Sequence, residues 1–348
     1  MKKDKGFLFL FSGVLLFAAL FLFPDTFTDG ISAGLEICVK ILIPSLFPFL
    51  IAASLTGKGS MPDGAKKLFE PATRFLFGLP ADCLPAIILG QLGGYLSGAK
   101  AVQSLYSSGA INNTQAERLL LFCINAGMGF TVNAVGNGML NSREAGKVLL
   151  LALCISALIP GIFSRLFIKD RANSSEKKEI LSQPLSTAIT DSISAAAQSM
   201  LVACAFVAVF SAVGAISDKY IQNNILRAAF SCLLEVTKGC ADVSGNVPLP
   251  VIAAVCAFGG ICVHMQVFAV AREIQINVPR FYFFRLLHAV SAYAVCKIIL
   301  YFHPVVLPVS VTFYSNARLF SFSAPAAISL LFLCALLILD LDNNRKIC

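Results

Sequence analysis

The sequence predicts an all-α polytopic membrane protein, with about seven spanning helices plus two re-entrant helical hairpins arranged as an inverted repeat. Three observations carry that expectation. Of the 348 residues, 57% are hydrophobic and only 13% charged, whereas a soluble domain carries about 25% charged residues. The apolar residues fall in runs of roughly 20, enough to cross a hydrocarbon core of about 30 Å. No polar block is large enough for an extramembrane domain, and the longest polar stretch, Lys169 to Gln183, reads as a loop.

The chain opens with MKKDK and an apolar run from Gly6 to Phe23. That run resembles a signal sequence, but FPDTFTDG follows it without a small-x-small cleavage site. It is expected to be a retained first helix with its N-terminus cytoplasmic. Six further spans are expected: Ile31 to Leu55, Leu119 to Leu140, Lys147 to Ile168, Ala195 to Ile216, Phe281 to Phe302 and Ala324 to Leu341. Two amphipathic stretches, Ala65 to Leu79 and Lys219 to Thr237, place charge opposite Phe and Leu, as in helices lying in the membrane interface.

Two apolar stretches, Leu84 to Tyr106 and Leu249 to Ala271, each contain a Gly pair, in GGYLSGAK and GGICVHMQ. PAIILGQLGGYLSG holds four Gly and a Pro, and each Gly costs a helix interior about 1 kcal/mol. Non-helical backbone at that depth is tolerated only inside protein or beside a water-filled cavity. Their length allows either one crossing helix or two short arms, and the composition favours stretches that turn back as hairpins.

Aligning Gly93 with Gly259 brings Arg118 to within one residue of Arg285, each followed by Leu-Leu. The order span, interfacial helix, broken segment, span, span then repeats. The expected organisation is a membrane helix over 1–30, a first repeat over 31–170, a cytoplasmic linker over 171–194 and a second repeat over 195–348. A slight excess of Lys and Arg on the inner loops permits this topology.

The net charge of +8 is read as topology, because Lys and Arg collect at the cytoplasmic ends of spans. No basic run interleaved with aromatics is present, so nucleic acid is not an expected partner. Most of the 12 cysteines lie in apolar segments without CxxC spacing and are expected to pack as small residues. No metal and no cofactor are expected.

No catalytic constellation is present. HExxH is absent, and Gly94-Tyr95-Leu96-Ser97-Gly98 has the wrong spacing for GxSxG. An enzyme is not expected, and a binding site is what remains. Gly93 and Gly94 with Gln91, Tyr95, Ser97 and Lys100 gather at the first break. Gly259 and Gly260 with His264 and Gln266 gather at the second. Ser97 and Gln266 could equally satisfy broken backbone. Asn125 lies just after the first hairpin, Glu235 precedes the second, and Arg285 with His288 follows it. An ionisable residue at membrane depth is a functional candidate. Glu36 and Lys40, four apart, are expected to pair structurally.

PSLFPF, GQLGGYLSGAK, QAERLLLFCINAG, CLLEVTKG and FGGICVHMQV occur in the order seen in the sporulation integral membrane proteins of the YlbJ type. The chain resembles that family over nearly its whole length after the first helix. The family belongs to the nucleoside-recognition Gate group, which is similar to concentrative nucleoside transporters. The family pattern carries Pro where Leu96 stands and Gly-Pro where Gly127-Met128 stands. The resemblance implies a seven-span body with two re-entrant hairpins and a role in endospore formation. The implied partners are the lipid bilayer and a small solute such as dipicolinate, moved across the outer forespore membrane. Helix N-termini, Lys100, Arg285 and the Tyr95 ring would meet a dianionic pyridine. Homo-oligomerisation is left open.

Overall fold

A computed structural model of the chain describes residues 14, 20–59, 61–168 and 184–305. Among these residues all regular structure is helical. The span expected at Ala324 to Leu341 and most of the first helix lie outside them.

Helix α1 covers Pro24–Leu55, relaxing into a wide π turn at Cys38–Leu42. It starts seven residues before the expected Ile31 because Pro24 sits at N1, where its fixed φ and missing N–H suit a helix start. The 15-residue amphipathic α2, Asp63–Phe77, ends at Gly78 in the left-handed conformation. At 85° to it runs the segment Ala81–Leu92, whose α-helical part is α3, Leu84–Leu92. Then come α4, Tyr95–Ser107, and α5, Asn113–Leu120.

The expected span Leu119 to Leu140 is not a continuous helix. After α5 the chain leaves helical geometry from Leu121 to Gly127, with every residue buried, and resumes as a π-helix over Gly129–Met139. Helix α6, Arg143–Phe167, matches its expected span. Helix α7, Leu185–Tyr220, has 36 residues and so measures about 54 Å, well beyond the core thickness. It begins ten residues before Ala195, so the end of the expected linker is helix.

In place of one interfacial helix at Lys219 to Thr237 stand α8, Asn224–Leu234, and α9, Val236–Val243, divided at Glu235. Then follow α10, Leu249–Phe258, α11, Gly260–Val270, and α12, Val278–Phe302. Among the described residues five helical stretches are long and apolar enough to cross a membrane: Pro24–Leu55, Arg143–Phe167, Leu185–Tyr220, Leu249–Val270 and Val278–Phe302. Exposed Phe21, Phe75, Leu166, Ile225, Val290 and Tyr301 cover an outer surface suited to lipid rather than water.

The two Gly-interrupted stretches differ. A Cβ built on Gly98 would lie 2.8 Å from the Cα of Gly90, whereas eight residues along one helix span about 12 Å. Helices α3 and α4 therefore fold back on each other as a hairpin. The second stretch forms one 22-residue span, Leu249–Val270, interrupted at Gly259. Backbone geometry gives the reason. Gly94 sits at φ 106°, ψ 173°, an extended positive-φ region open only to Gly, which reverses the chain. Gly259 at φ 89°, ψ −16° and Gly260 at φ 77° interrupt the helix without reversing the chain.

Helices α1 and α7 pack through small residues: Cβ atoms on Gly30 and Gly34 would lie 2.5 Å and 2.8 Å from the Cα atoms of Ala212 and Ala208. Close backbone approach of this kind maximises dispersion contacts where lipid offers no hydrophobic driving force. The main core surrounds the hairpin, α5, α6, α10 and α12.

Candidate functional site

The unwound stretch Leu121–Gly127 is the centre of the molecule. Gly127 at its end still accepts from the Thr131 N–H at 2.9 Å, but buried carbonyls earlier in the stretch lie outside any helix, and leaving them bare would cost about 1–3 kcal/mol each. The side chains that supply donors are among those singled out in the sequence. Arg285 on α12 donates from Nη1 to the carbonyl of Ile124 at 2.5 Å and from Nη2 to that of Leu121 at 3.0 Å. Its Nη1 also reaches Ala257 at 3.4 Å, and its Nη2 reaches Nδ1 of His288 at 3.3 Å. His288 Nε2 donates to the Leu153 carbonyl at 3.4 Å.

From the hairpin, Gln91 donates to the Phe122 carbonyl at 3.1 Å and accepts from Asn125 at 2.8 Å. Asn125 in turn accepts from the Ala126 N–H at 2.9 Å. The Cys123 carbonyl presses between Gly90 and Gly98, where any side chain would collide with it. Those two Gly, four residues either side of Gly94, are the signal in the sequence that the hairpin holds a strand of backbone.

The two breaks meet. Tyr95, the first residue of α4, donates its hydroxyl to the Cys256 carbonyl at 2.5 Å. Its ring edge lies 3.2 Å from where a Cβ on Gly259 would sit. Ser97 donates to Gly93 at 3.1 Å, satisfying the hairpin's own backbone. Across the second break His264 Nε2 donates to the Phe258 carbonyl at 2.8 Å, and its ring meets Phe258, Phe281 and Tyr282 edge-on. Gln266 donates to the Cys262 sulfur at 3.2 Å.

Glu235 is 3% exposed and caps α9, accepting from the N–H groups of Thr237 at 2.9 Å and Lys238 at 2.7 Å. Burial raises its carboxyl above the ordinary value, with those backbone donors opposing. Gly260 packs against this turn, 3.2 Å from its built Cβ to the Leu234 carbonyl. Lys238 lies between Asp242 at 2.8 Å and Asp218 at 2.9 Å. Burial alone would lower the Lys238 ammonium, but the two carboxylates hold it above its usual range.

Two cavities flank this centre. One of about 900 Å³ is mostly apolar, lined by α1, the π-helix, α7 and α9, with Asp29, Asn133, Asp218 and Lys238 among its polar groups. The other, of about 500 Å³, is polar and includes Lys58, Lys100, Gln103, Asp191, Arg272 and Glu273. Along α7 the first reaches Ser211 to Asp218 and the second Asp191 to Gln198, so they lie about 20 Å or more apart. Between them Leu50, Leu96, Met200, Ala203, Val207 and Cys262 form a buried apolar layer.

The structure thus brings Gln91, Gly93, Gly94, Tyr95, Ser97, Asn125 and Arg285 into one buried assembly, joined through Tyr95 to the second break with Gly259, Gly260 and His264. Lys100 stands apart, one turn and a half further along α4, in the polar cavity. Glu36 and Lys40 pair on α1. No group of three or more His, Cys, Asp or Glu fit to hold a metal occurs among the described residues.

Long apolar spans around helices interrupted in a buried core define an integral, polytopic α-helical membrane protein. The chain is similar to the sporulation integral membrane protein YlbJ of Bacillus subtilis (strain 168), 23% identical over 328 residues that span 80% of each chain. No family model matches the chain, and no solved structure does.

Proposed function

We propose that this chain is a transporter-like membrane protein of endospore formation, moving a small anionic solute such as dipicolinate across the outer forespore membrane. The observation that carries the reading is the pair of cavities set along α7, separated by an apolar layer where two interrupted helices meet. Helices broken near mid-membrane beside a solute path are a recurring plan in secondary transporters. The likeness to YlbJ supplies the sporulation setting. The Gate-type plan of inverted repeats belongs to the same proposal, with the second interrupted stretch crossing rather than turning back.

A deletion strain scored for dipicolinate in its spores, with and without added dipicolinate, tests this. Low content restored by supplement supports transport, and normal content sinks it. Uptake of labelled uridine by reconstituted protein would instead favour a nucleoside carrier.

A second reading has its own support. Arg285, Gln91, Asn125 and His264 all bond to the chain's own backbone or to one another. That fits a non-transporting membrane component of sporulation, in which the broken helices are a structural core. Reconstituted protein that moves neither solute, in a strain whose loss blocks sporulation at an assembly step, would favour it.

A further inference from the structure

The polar cavity holds a set of groups that the folded chain leaves open. Its two carboxylates are engaged: Asp191 receives Lys58 at 3.0 Å, and Glu273 receives Gln103 at 2.7 Å and Ser107 at 2.9 Å. Lys100 and Arg272 also line it; neither has a hydrogen bond or ion pair with a described residue, although Glu273 is near enough to attract Lys100 and Arg272 near enough to repel it. Ser54 borders the same space from α1, with its hydroxyl shut off from solvent and without a partner among the described residues. Ser104, Ser108, Ser194 and Gln198 complete the polar wall.

We propose that this cavity is an anion-binding site in which Lys100 and Arg272 hold carboxylate or phosphate oxygens. Among the described residues lining it, Lys58, Lys100 and Arg272 stand against Asp191 and Glu273, an excess of one positive charge. Arg offers a planar fork matched to two oxygens and Lys a point charge. The two come from α4 and the turn after α11. A volume of about 500 Å³ lies within the range of small-molecule sites. The C-terminal ends of α4 and α11 border this cavity, and helix C-termini disfavour anions, so binding depends on both cations together. The site stands whether or not the chain transports.

The test uses full-length protein in zwitterionic detergent at constant ionic strength, with succinate and inorganic phosphate as probes against chloride. Acetylation of Lys100 by an activated ester, read by mass spectrometry, should slow at least about fivefold with either probe, while acetylation of Lys67 on α2 stays unchanged. Protection seen only when phosphatidylglycerol is added assigns the same site to a lipid headgroup. No protection by any of the three overturns the proposal. Arg272→Gln should remove the protection and Arg272→Lys should retain part of it; equal protection in wild type and Arg272→Gln also overturns it.

Discussion

Tyr95 donates its hydroxyl to the carbonyl of Cys256 at 2.5 Å, joining the residue just after the first Gly pair to a residue three before the second. Interruptions 165 positions apart in sequence are thereby fastened at one point in the core. Cys256 lies in the last turn of α10, and Gly259 ends that helix, so its carbonyl depends on a side chain for a donor.

Tyr95→Phe removes that donor while keeping the ring against Gly259. A loss of about 1–3 kcal/mol is expected from the bare carbonyl. The midpoint of thermal unfolding in detergent should fall by several degrees, and an unchanged midpoint contradicts the assigned role.

Gly94→Ala should be worse than Gly93→Ala. Added Cβ atoms crowd neighbours at both positions, but only Gly94 has positive φ, and at φ 106°, ψ 173° a non-glycine residue carries a further strain of about 1–3 kcal/mol. Size-exclusion chromatography of both variants checks the order. Equal yields of monodisperse protein would show that the turn tolerates a side chain.

Arg285→Lys should unfold or loosen the centre although it keeps the charge. One ammonium cannot span the Ile124 and Leu121 carbonyls that the guanidinium bridges. Hydrogen bonds from a charged donor contribute about 1.5–3 kcal/mol each. Proteolysis of the variant should cut near Leu121–Gly127, a stretch protected in wild type. Resistance equal to wild type argues against the assignment.

Glu235 predicts a pH dependence of definite sign. Burial raises its folded value above the ordinary 4.5, so between the two values the folded state keeps a proton that the unfolded chain has lost. Its contribution to stability is greatest below pH 4.5, falls as pH rises through that window and is level above the folded value. Glu235→Gln should flatten this part of the stability curve. Denaturation midpoints measured from pH 4 upward give the comparison, and identical slopes in both proteins refute the buried carboxyl's role.

Gly34→Leu should separate α1 from α7, since a Cβ added there would lie 2.8 Å from the Cα of Ala208. The midpoint of thermal unfolding in detergent should fall by several degrees, while Gly64→Leu, where an added Cβ meets nothing within 4 Å, should leave it unchanged. Equal midpoints in the two variants would place the helices elsewhere.

Much of the architecture was legible in the residues. Length and apolarity located the spans at Arg143–Phe167 and Val278–Phe302 within a few residues, because a hydrocarbon core sets how many apolar residues are needed. Glycine content located both interruptions, because Gly weakens a helix wherever it stands. The break at Leu121–Gly127 was not legible. CINAGMGF is apolar enough to read as helix, and only Arg285 and Gln91, remote in sequence, make the unwound form affordable.

The sequence by itself determined that this is a helical membrane protein with interruptions at Gly93-Gly94 and Gly259-Gly260, since hydropathy and glycine geometry are local properties. Tertiary structure decided what the interruptions do. Gly90 and Gly98 close one of them around the Cys123 carbonyl, while the other continues as a span. It also decided that Arg285 serves buried backbone and that Lys100 faces a cavity. Both Arg and Lys carry the same charge in the sequence; which one meets a carbonyl depends on the helices packed around it.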